Sequence, residues 1–265
     1  MRIIVPIKQV PETSAVKMDE ETGTMIREGV EAIVNPLDLY AIESALRLRE
    51  QHGGEVVVLS MGPPSAEKAL REAIAMGCDA GVLLSNRAFA GSDTWATGYA
   101  LSAGIRALGD FDLILCGERA TDGDTGQVGP GIASFLDLPV LTYIGKIEDA
   151  TDGTLRAHRL VENGHEILEV DLPAVLTVVK EVGEARLPTL SGKRRARTAE
   201  IPVWGPDDID VAIESLGLKA SPTRVVKIFR PKIARECVKL TANDETSTEK
   251  AVNELVGFLQ KKELL

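Results

Sequence analysis

The chain has 265 residues, 44% of them hydrophobic, and a formal net charge of −10. Such a charge repels nucleic acids and anionic membrane surfaces at long range, so neither is expected as a general partner. Three cysteines far apart in sequence and three histidines argue against a disulfide scaffold or a metal site, and the lack of a signal-peptide core or of a long apolar run predicts a cytoplasmic protein without membrane insertion.

Four short apolar runs in the first half of the chain predict β-strands, and helical patterns lie between them. The predicted strands cover residues 2–8, 55–60, 80–85 and 112–116, and the predicted helices cover 36–49, 64–76 and 93–108. Asn35 stands where an N-cap is expected, with Pro36 at the first helical position, and Ser92 is the expected cap of the third helix. This alternation predicts an α/β fold with a parallel, doubly wound sheet and helices on both faces.

The loops that follow three of these strands should open on one edge of the sheet. In such folds ligands bind at the carboxyl ends of the parallel strands. Residues 8–11, 60–64 and 117–130 follow the first, second and fourth strands, so together they can form one nucleotide pocket. For Met61-Gly62-Pro63-Pro64 a rigid turn without any ligand contact is the alternative.

The most informative segment is the glycine-rich stretch that follows the fourth strand and leads into a helical pattern. Gly123, Gly126 and Gly129 allow main-chain N–H groups to approach a ligand closely, and the first turn of a helix adds partial positive charge. Such a turn is suited to phosphate. An ordinary capped loop that binds nothing is the alternative, because many α/β units carry glycine turns.

The start of the helix after this turn is open to two interpretations. Asp124 with Gln127 three residues later has the spacing of a capping box, whereas Pro130 suits a first helical position. Both starts direct amides at the same cavity. Asp122 and Asp124 would repel a phosphate, so we assign them to helix capping, loop bracing or contacts with ribose hydroxyls.

After residue 139 the pattern changes to short apolar runs separated by turn signals. Asp152-Gly153 and Asn163-Gly164 predict a small β-hairpin addition to the sheet. Residues 183–197 have the composition of an exposed loop that ends in a basic cluster, which either steers acidic partners or only solvates the loop. An extended C-terminal arm closes with an amphipathic helix at 246–262, which either wraps around a partner or packs on its own chain.

Several motifs for catalysis and cofactor binding are missing. The sequence has neither a Gly-x-Gly-x-x-Gly dinucleotide fingerprint nor a Walker-type phosphate loop. The histidines His52, His158 and His165 fall at a predicted helix end and in predicted hairpin strands, where surface roles are expected rather than catalytic ones. We therefore expect no catalytic side chain and no metal ligand in this chain.

Four motifs, taken in order, closely resemble the beta subunit of electron-transfer flavoprotein. They are Val5-Pro-Ile-Lys-Gln-Val-Pro11, Asn35-Pro-Leu-Asp38, Met61-Gly-Pro-Pro64 and Ala120-Thr-Asp-Gly-Asp-Thr-Gly-Gln-Val-Gly-Pro130. The likeness continues through 173–177 and 185–191 and covers nearly the whole chain. It implies a sheet of the adenine-nucleotide-hydrolase type and an obligate heterodimer with an alpha subunit, which carries electrons between dehydrogenases and a second acceptor.

Within this family the beta subunit holds either AMP, as a structural ligand, or a second FAD that accepts hydride from NADH. Residues 61–64, 90–97 and 122–130 are similar to the second, electron-bifurcating form; one departure is Gly126, where alanine is more usual. The resemblance then implies that one electron passes through the alpha-subunit FAD to an acyl-CoA dehydrogenase-like partner and the other to ferredoxin or flavodoxin. A non-bifurcating subunit that holds AMP is the alternative, and an ATP-binding module of the stress-protein kind is a more distant one.

The site residues and the domain boundaries follow from the same resemblance. Leu190 matches the leucine that anchors the partner dehydrogenase, with packing on its own domain as the alternative. The expected regions are a nucleotide-binding domain with its hairpin addition at 1–182, a partner-recognition loop at 183–198 and an arm that packs on the alpha subunit at 199–265. The residues expected to bind the nucleotide are Pro6, Asn35, Asp38, Met61, Asp122, Gly123, Asp124, Thr125, Gly126, Gln127, Val128, Gly129, Pro130 and Ala133.

Overall fold

The computed structural model describes residues 1–12, 17–18, 25–26, 32–226 and 238–265. Contacts divide the chain into two compact units, Met1–Ile228 and Phe229–Leu265. The first unit contains a β-sheet and the helices that cover it. Within residues 238–265 the second unit contains one helix.

Strands and helices alternate through the first half of the chain, as the sequence predicts. The described strands are β1 (Arg2–Pro6), β2 (Gln9–Pro11), β3 (Lys17–Met18), β4 (Met25–Ile26), β5 (Ala32–Val34), β6 (Glu55–Met61), β7 (Ala80–Leu84), β8 (Leu113–Gly117), β9 (Val140–Thr151), β10 (Thr154–Val161), β11 (Gly164–Asp171), β12 (Ala174–Val178) and β13 (Val203–Trp204). The described α-helices are α1 (Pro36–His52), α2 (Glu67–Met76), α3 (Thr94–Leu108), α4 (Val128–Leu136), α5 (Leu190–Thr198), α6 (Gly217–Ala220) and α7 (Glu245–Lys261).

Nine of these strands form one sheet in the order β11-β10-β9-β12-β8-β1-β6-β7-β13. Pairing is parallel from β9 to β13, whereas β9, β10 and β11 pair antiparallel. The predicted parallel α/β sheet with a hairpin addition is therefore confirmed, and the hairpin strands extend one edge of that sheet. Strand order reverses at β1, which lies between β6 and β8, and such a reversal opens a crevice at the carboxyl ends of the strands.

Helices cover both faces of the sheet, because alternate residues of the central strands point to opposite sides. In β1 the buried residues Ile3 and Val5 belong to the apolar core that packs under α1 and α2. Ile4, between them, belongs to the second core, under α3 and α4. Glycine favours a helix end, and Gly53, Gly77 and Gly109 are the C-caps of α1, α2 and α3.

Two predicted helix starts differ from the structure. Asp93, not Ser92, caps α3: its carboxylate accepts the N–H groups of Trp95 at 3.0 Å and Ala96 at 3.1 Å. A carboxylate one residue later in the chain reaches both amides, while the Ser92 hydroxyl donates to the Phe89 carbonyl instead. The segment before α2 is a short 3₁₀ turn over Pro64–Ala66.

The prediction of a loop at 183–197 is wrong for its second half, which forms α5. Thr189 caps this helix by accepting the N–H of Gly192 at 2.9 Å. A Cβ atom at Gly192 would lie 2.0 Å from the Ala75 carbonyl oxygen, so only glycine allows α5 to lie this close to the end of α2. Arg195 donates to the carbonyls of Ile74 and Cys78, both at 2.8 Å, so this member of the basic cluster is fixed to the main chain.

The hairpin turns and the last helix agree with the sequence. The turn between β9 and β10 places Asp152 and Gly153 at positive φ, as a tight hairpin of this type requires. In the second unit α7 is capped by Asp244, whose carboxylate accepts the Ser247 N–H at 2.8 Å. None of the helices in the described residues is long and apolar enough to cross a membrane.

Candidate functional site

A cavity of about 930 Å³ opens at the carboxyl ends of the central strands. The neighbouring strands β8, β1, β6 and β7 each contribute the loop that follows them, and the first turns of α3 and α4 complete the walls. The sequence predicted a shared pocket from the loops after β1, β6 and β8. The cavity has the size of a site for a large cofactor.

Most residues expected to bind a nucleotide line this cavity, and five of them do not. The expected residues on the wall are Pro6, Asp38, Met61, Gly123, Thr125, Gly126, Gln127, Val128 and Gly129. The expected residues that do not line it are Asn35, Asp122, Asp124, Pro130 and Ala133. We therefore regard this second group as supports of the wall.

The glycine-rich turn reaches α4 in a way that neither predicted helix start describes. The Ala120 carbonyl accepts the N–H groups of Gly123 at 3.2 Å and Asp124 at 2.8 Å, and Asp124 has the left-handed φ of 55°. Helix α4 then begins at Val128, with Pro130 as its third residue. The N–H groups of a first helical turn have no partner within the helix, so those of Val128 and Gly129 are available to an anion in the cavity.

The carboxylates of this turn are paired with cations, so they brace the loop as one of the sequence alternatives proposed. The Lys8 ammonium lies 2.7 Å from the nearer Asp122 oxygen. Arg119 lies 2.7 Å from Asp124 and 3.0 Å from Glu118. These pairs neutralise negative charge beside the free amides, which favours an anionic ligand there.

Asn35 is the N-cap residue of α1, as predicted, but its side chain makes no capping hydrogen bond and connects three segments instead. Its amide nitrogen donates to Asp38 at 2.8 Å and to the Arg119 carbonyl at 2.9 Å, and its amide oxygen accepts the Thr121 N–H at 3.1 Å. Asp38 in turn accepts the main-chain N–H of Lys8 at 2.7 Å. The end of β1, the start of α1 and the glycine-rich turn are thereby held together.

Asp38 is a buried carboxyl on the cavity wall. Burial raises its pKa from an ordinary value of 3.8 to about 7, although the hydrogen bonds from Lys8 and Asn35 act in the opposite direction. Asp122 adds to the rise and the Lys8 ammonium opposes it. A Cβ atom at Gly117 would lie 2.5 Å from a carboxyl oxygen of Asp38, so glycine is required at the end of β8.

Asp38→Asn is expected to change how stability depends on pH. The folded chain keeps a proton on Asp38 that the unfolded chain releases, so the free energy of unfolding of the wild type falls as pH rises from about 4 to about 7 and is level above that. Three pKa units set an upper limit of about 4 kcal/mol on this loss. Urea unfolding of both proteins between pH 5 and 8 measures it. A difference between wild type and variant that stays constant with pH would contradict the expectation.

The loop after β7 is a wall of the cavity that the pocket predicted from the strand pattern did not include, although the resemblance pointed to residues 90–97. It contributes Asn86, Arg87 and Phe89, and Thr94 and Thr97 follow on the first turn of α3. The Thr94 hydroxyl donates to the side-chain oxygen of Gln127 at 3.0 Å, so the starts of α3 and α4 meet at the cavity. The rule for the carboxyl ends of parallel strands applies to β7 as well, and it was the available signal.

Asp93 connects this wall by hydrogen bonds to residues 221–223, which lie far along the chain. Its second carboxylate oxygen accepts the N–H and the hydroxyl of Thr223, both at 2.8 Å, and its own N–H donates to the Ser221 hydroxyl at 2.8 Å. The Leu218 N–H donates to the Ala90 carbonyl at 3.1 Å. The cavity wall at 90–97 is therefore held in place by residues 217–223.

A second surface feature surrounds Leu190. Leu187 and Leu190 are 85% and 83% exposed, which excludes packing on their own unit. Arg186, just before them, binds the carboxylate of Glu43 on α1 at 2.7 Å and that of Glu50. Two exposed leucines thus stand on a segment that is fixed at one end to α1 and at the other to α2.

The described residues contain no group of side chains that could hold a metal ion. Of the cavity residues, Cys116 is a buried thiol whose pKa is raised well above its usual range, first by burial and then by Asp38. Such a thiol is un-ionised at neutral pH and a poor nucleophile. The chemistry that these groups support is the binding of an anionic organic ligand.

Residues 22–209 match the family model described as electron transfer flavoprotein domain. The caffeyl-CoA reductase-Etf complex subunit CarD of Acetobacterium woodii is 46% identical over 263 residues, which cover 99% of this chain and 97% of that protein. An electron transfer flavoprotein subunit beta of Thermoanaerobacterium thermosaccharolyticum is 47% identical over 256 residues, with coverage of 96% and 98%. The acryloyl-CoA reductase electron transfer subunit gamma of Anaerotignum propionicum is 41% identical over 263 residues, with coverage of 97% and 98%.

Proposed function

The chain belongs to the electron transfer flavoprotein family, and from this premise we propose that its cavity binds FAD and that it serves in an electron-bifurcating complex. It is a beta-type subunit of an electron transfer complex. Two of the similar proteins carry the names of a caffeyl-CoA reductase complex and of an acryloyl-CoA reductase. By analogy we assign this chain to a complex that contains an acyl-CoA dehydrogenase-like partner.

The observation that carries the proposal is the length of the cavity. The residues expected to hold an adenosine phosphate lie on β1, at the start of α1, at the end of β6 and on the loop after β8. The cavity continues past them along the loop after β7 and the first turn of α3. AMP leaves this extension unfilled, whereas a dinucleotide has a second half to place there.

The residues present fit such a ligand. The free amides of Val128 and Gly129 would face one phosphate. Lys8 and Arg119 offset the carboxylates nearby. When bound, FAD would supply hydride acceptance from NADH and the release of single electrons, one toward the alpha-subunit FAD and one toward ferredoxin or flavodoxin.

The chain's own contribution is to bind and orient the cofactor and to meet its partners. We assign Leu190 to docking of the dehydrogenase, since a leucine this exposed beside basic residues suits an apolar socket with an acidic rim. The alpha subunit would complete the site around the flavin ring and bind the C-terminal arm. A cytoplasmic location stays the prediction of the sequence.

Counting cofactors tests the proposal. The full chain is produced together with its alpha-type subunit, and the nucleotides released from the pure heterodimer are quantified. FAD at about two per heterodimer supports the bifurcating function. FAD at about one, together with AMP, contradicts it and favours the non-bifurcating carrier. A colourless homodimer that binds ATP would favour the stress-protein-like alternative.

A further inference from the structure

The cations on the cavity wall are paired with carboxylates, with one exception among the described residues. Lys8 is matched by Asp122, and Arg119 by Glu118 and Asp124. Arg87 lines the cavity with an exposed side chain, and its guanidinium has no ion pair or hydrogen bond to any described residue. A fixed cation on a binding wall that no protein carboxylate neutralises is available to a ligand.

Arg87 lies away from the amides that face a phosphate. It follows β7, and the glycine-rich turn follows β8, with β1 and β6 between these strands. Three inter-strand spacings of about 4.8 Å separate the two loops at the sheet edge by about 14 Å. This separation favours contact of Arg87 with another part of the ligand than the phosphate that the start of α4 would bind.

The loop that carries Arg87 is held by its own hydrogen bonds. The Asn86 side chain accepts the Ala88 N–H at 2.9 Å, and the Asn86 carbonyl accepts the Phe89 N–H at 3.1 Å. Before it, the Ser85 N–H donates to the Trp204 carbonyl of β13 at 2.9 Å. The main chain at Arg87 is thus fixed, while the guanidinium is free to contact a ligand. A fixed main chain limits the entropic cost of binding.

We propose that Arg87 selects FAD over AMP by donating hydrogen bonds to the polar edge of the flavin half. This inference rests on the proposed FAD site, because the wall around Arg87 is the part of the cavity that an adenosine phosphate does not reach. The flavin ring presents carbonyl oxygens and ring nitrogens along one edge, and the planar fork of guanidinium N–H donors matches such an edge better than an ammonium does. AMP has no group at this position.

The test compares the affinities of FAD and AMP in wild type, Arg87→Gln and Arg87→Lys. Each full-length chain, in its complex with the alpha-type subunit, is stripped of nucleotide and titrated separately with the two ligands. Arg87→Gln should weaken FAD binding about 10-fold or more, which corresponds to the loss of a hydrogen bond to a charged group. Its affinity for AMP should stay within about two-fold of the wild-type value. The affinity of Arg87→Lys for FAD should lie between those of wild type and Arg87→Gln. Removal of the cation should also shift the potential of the bound flavin in the negative direction.

Each outcome has a distinct meaning. If wild type binds FAD and Arg87→Gln binds it equally well, the proposed role of Arg87 is refuted, whereas the proposed function is not affected. An equal loss for FAD and AMP also overturns the inference, because it places Arg87 beside the adenosine half or in the fold. If wild type binds AMP but not FAD, the proposed function and this inference fail together. Unchanged thermal unfolding of the variants, expected for an exposed side chain, verifies the fold.

Discussion

Replacing Gly129 with alanine is expected to weaken nucleotide binding about 10- to 100-fold and to lower stability by about 1 to 3 kcal/mol. A Cβ atom at this position would lie 2.5 Å from Cγ2 of Thr177. Thr177 is buried in the middle of the sheet, so the clash is relieved by moving the first turn of α4. That movement displaces the amides that we expect to face a phosphate. Titration with FAD and with AMP measures the loss.

Two further variants separate this cause from a general effect of alanine. Gly131 lies in the same helix, and a Cβ atom there would meet no heavy atom within 4 Å; Gly131→Ala should bind as the wild type does. Thr177→Ser removes the clashing methyl group but keeps the hydroxyl that accepts the Tyr143 N–H at 3.2 Å. Added to Gly129→Ala, it should restore most of the affinity. Equal binding by Gly129→Ala and Gly131→Ala would refute the argument.

Arg186→Ala is expected to cost about 2 to 3 kcal/mol of stability and to weaken docking of the dehydrogenase partner. The Glu43 side chain is only 6% exposed and keeps Arg47 as its single cation once Arg186 is gone. Loss of one member of a buried pair leaves a charge that is poorly compensated. The same change frees the segment that carries Leu187 and Leu190, so these side chains lose their fixed position. Urea unfolding and a binding titration with the partner measure the two effects.

The control for Arg186→Ala is Arg194→Ala, which removes an exposed cation of the same region and should change stability by less than about 0.5 kcal/mol.

Burial acts to raise the pKa of Glu43, but Arg186 and Arg47 hold it below its usual range. Their stabilisation is therefore present above that range and is lost as pH falls through the lowered pKa. The stability difference between wild type and Arg186→Ala should shrink in acid. A difference that does not decrease as pH falls below the usual pKa range of a glutamate would contradict the ion-pair explanation.

The sequence predicted the elements well where their signals are local. Apolar periodicity, Pro36 at the start of α1 and glycine at the helix ends depend on residues a few positions apart, and the structure confirms them. The hairpin turns are local in the same sense. Helix α5 was missed because its Ser, Gly, Lys and Arg residues form no apolar stripe. Its stability comes from Gly192 and Arg195 on the end of α2, more than a hundred residues earlier in the chain.

By itself the sequence determined the α/β class, the edge of the sheet at which the cavity opens and the segment that we expect to face a phosphate. Tertiary structure alone decided which residues form the wall: it left Asn35 out of the wall and added Arg87 after β7, three strands away from the glycine-rich turn. It also brought Thr177 against Gly129 and Arg186 against Glu43. The physical reason is that strand periodicity specifies only the face on which a side chain lies, whereas contacts between distant segments depend on strand order and on the close packing of the helices over the sheet.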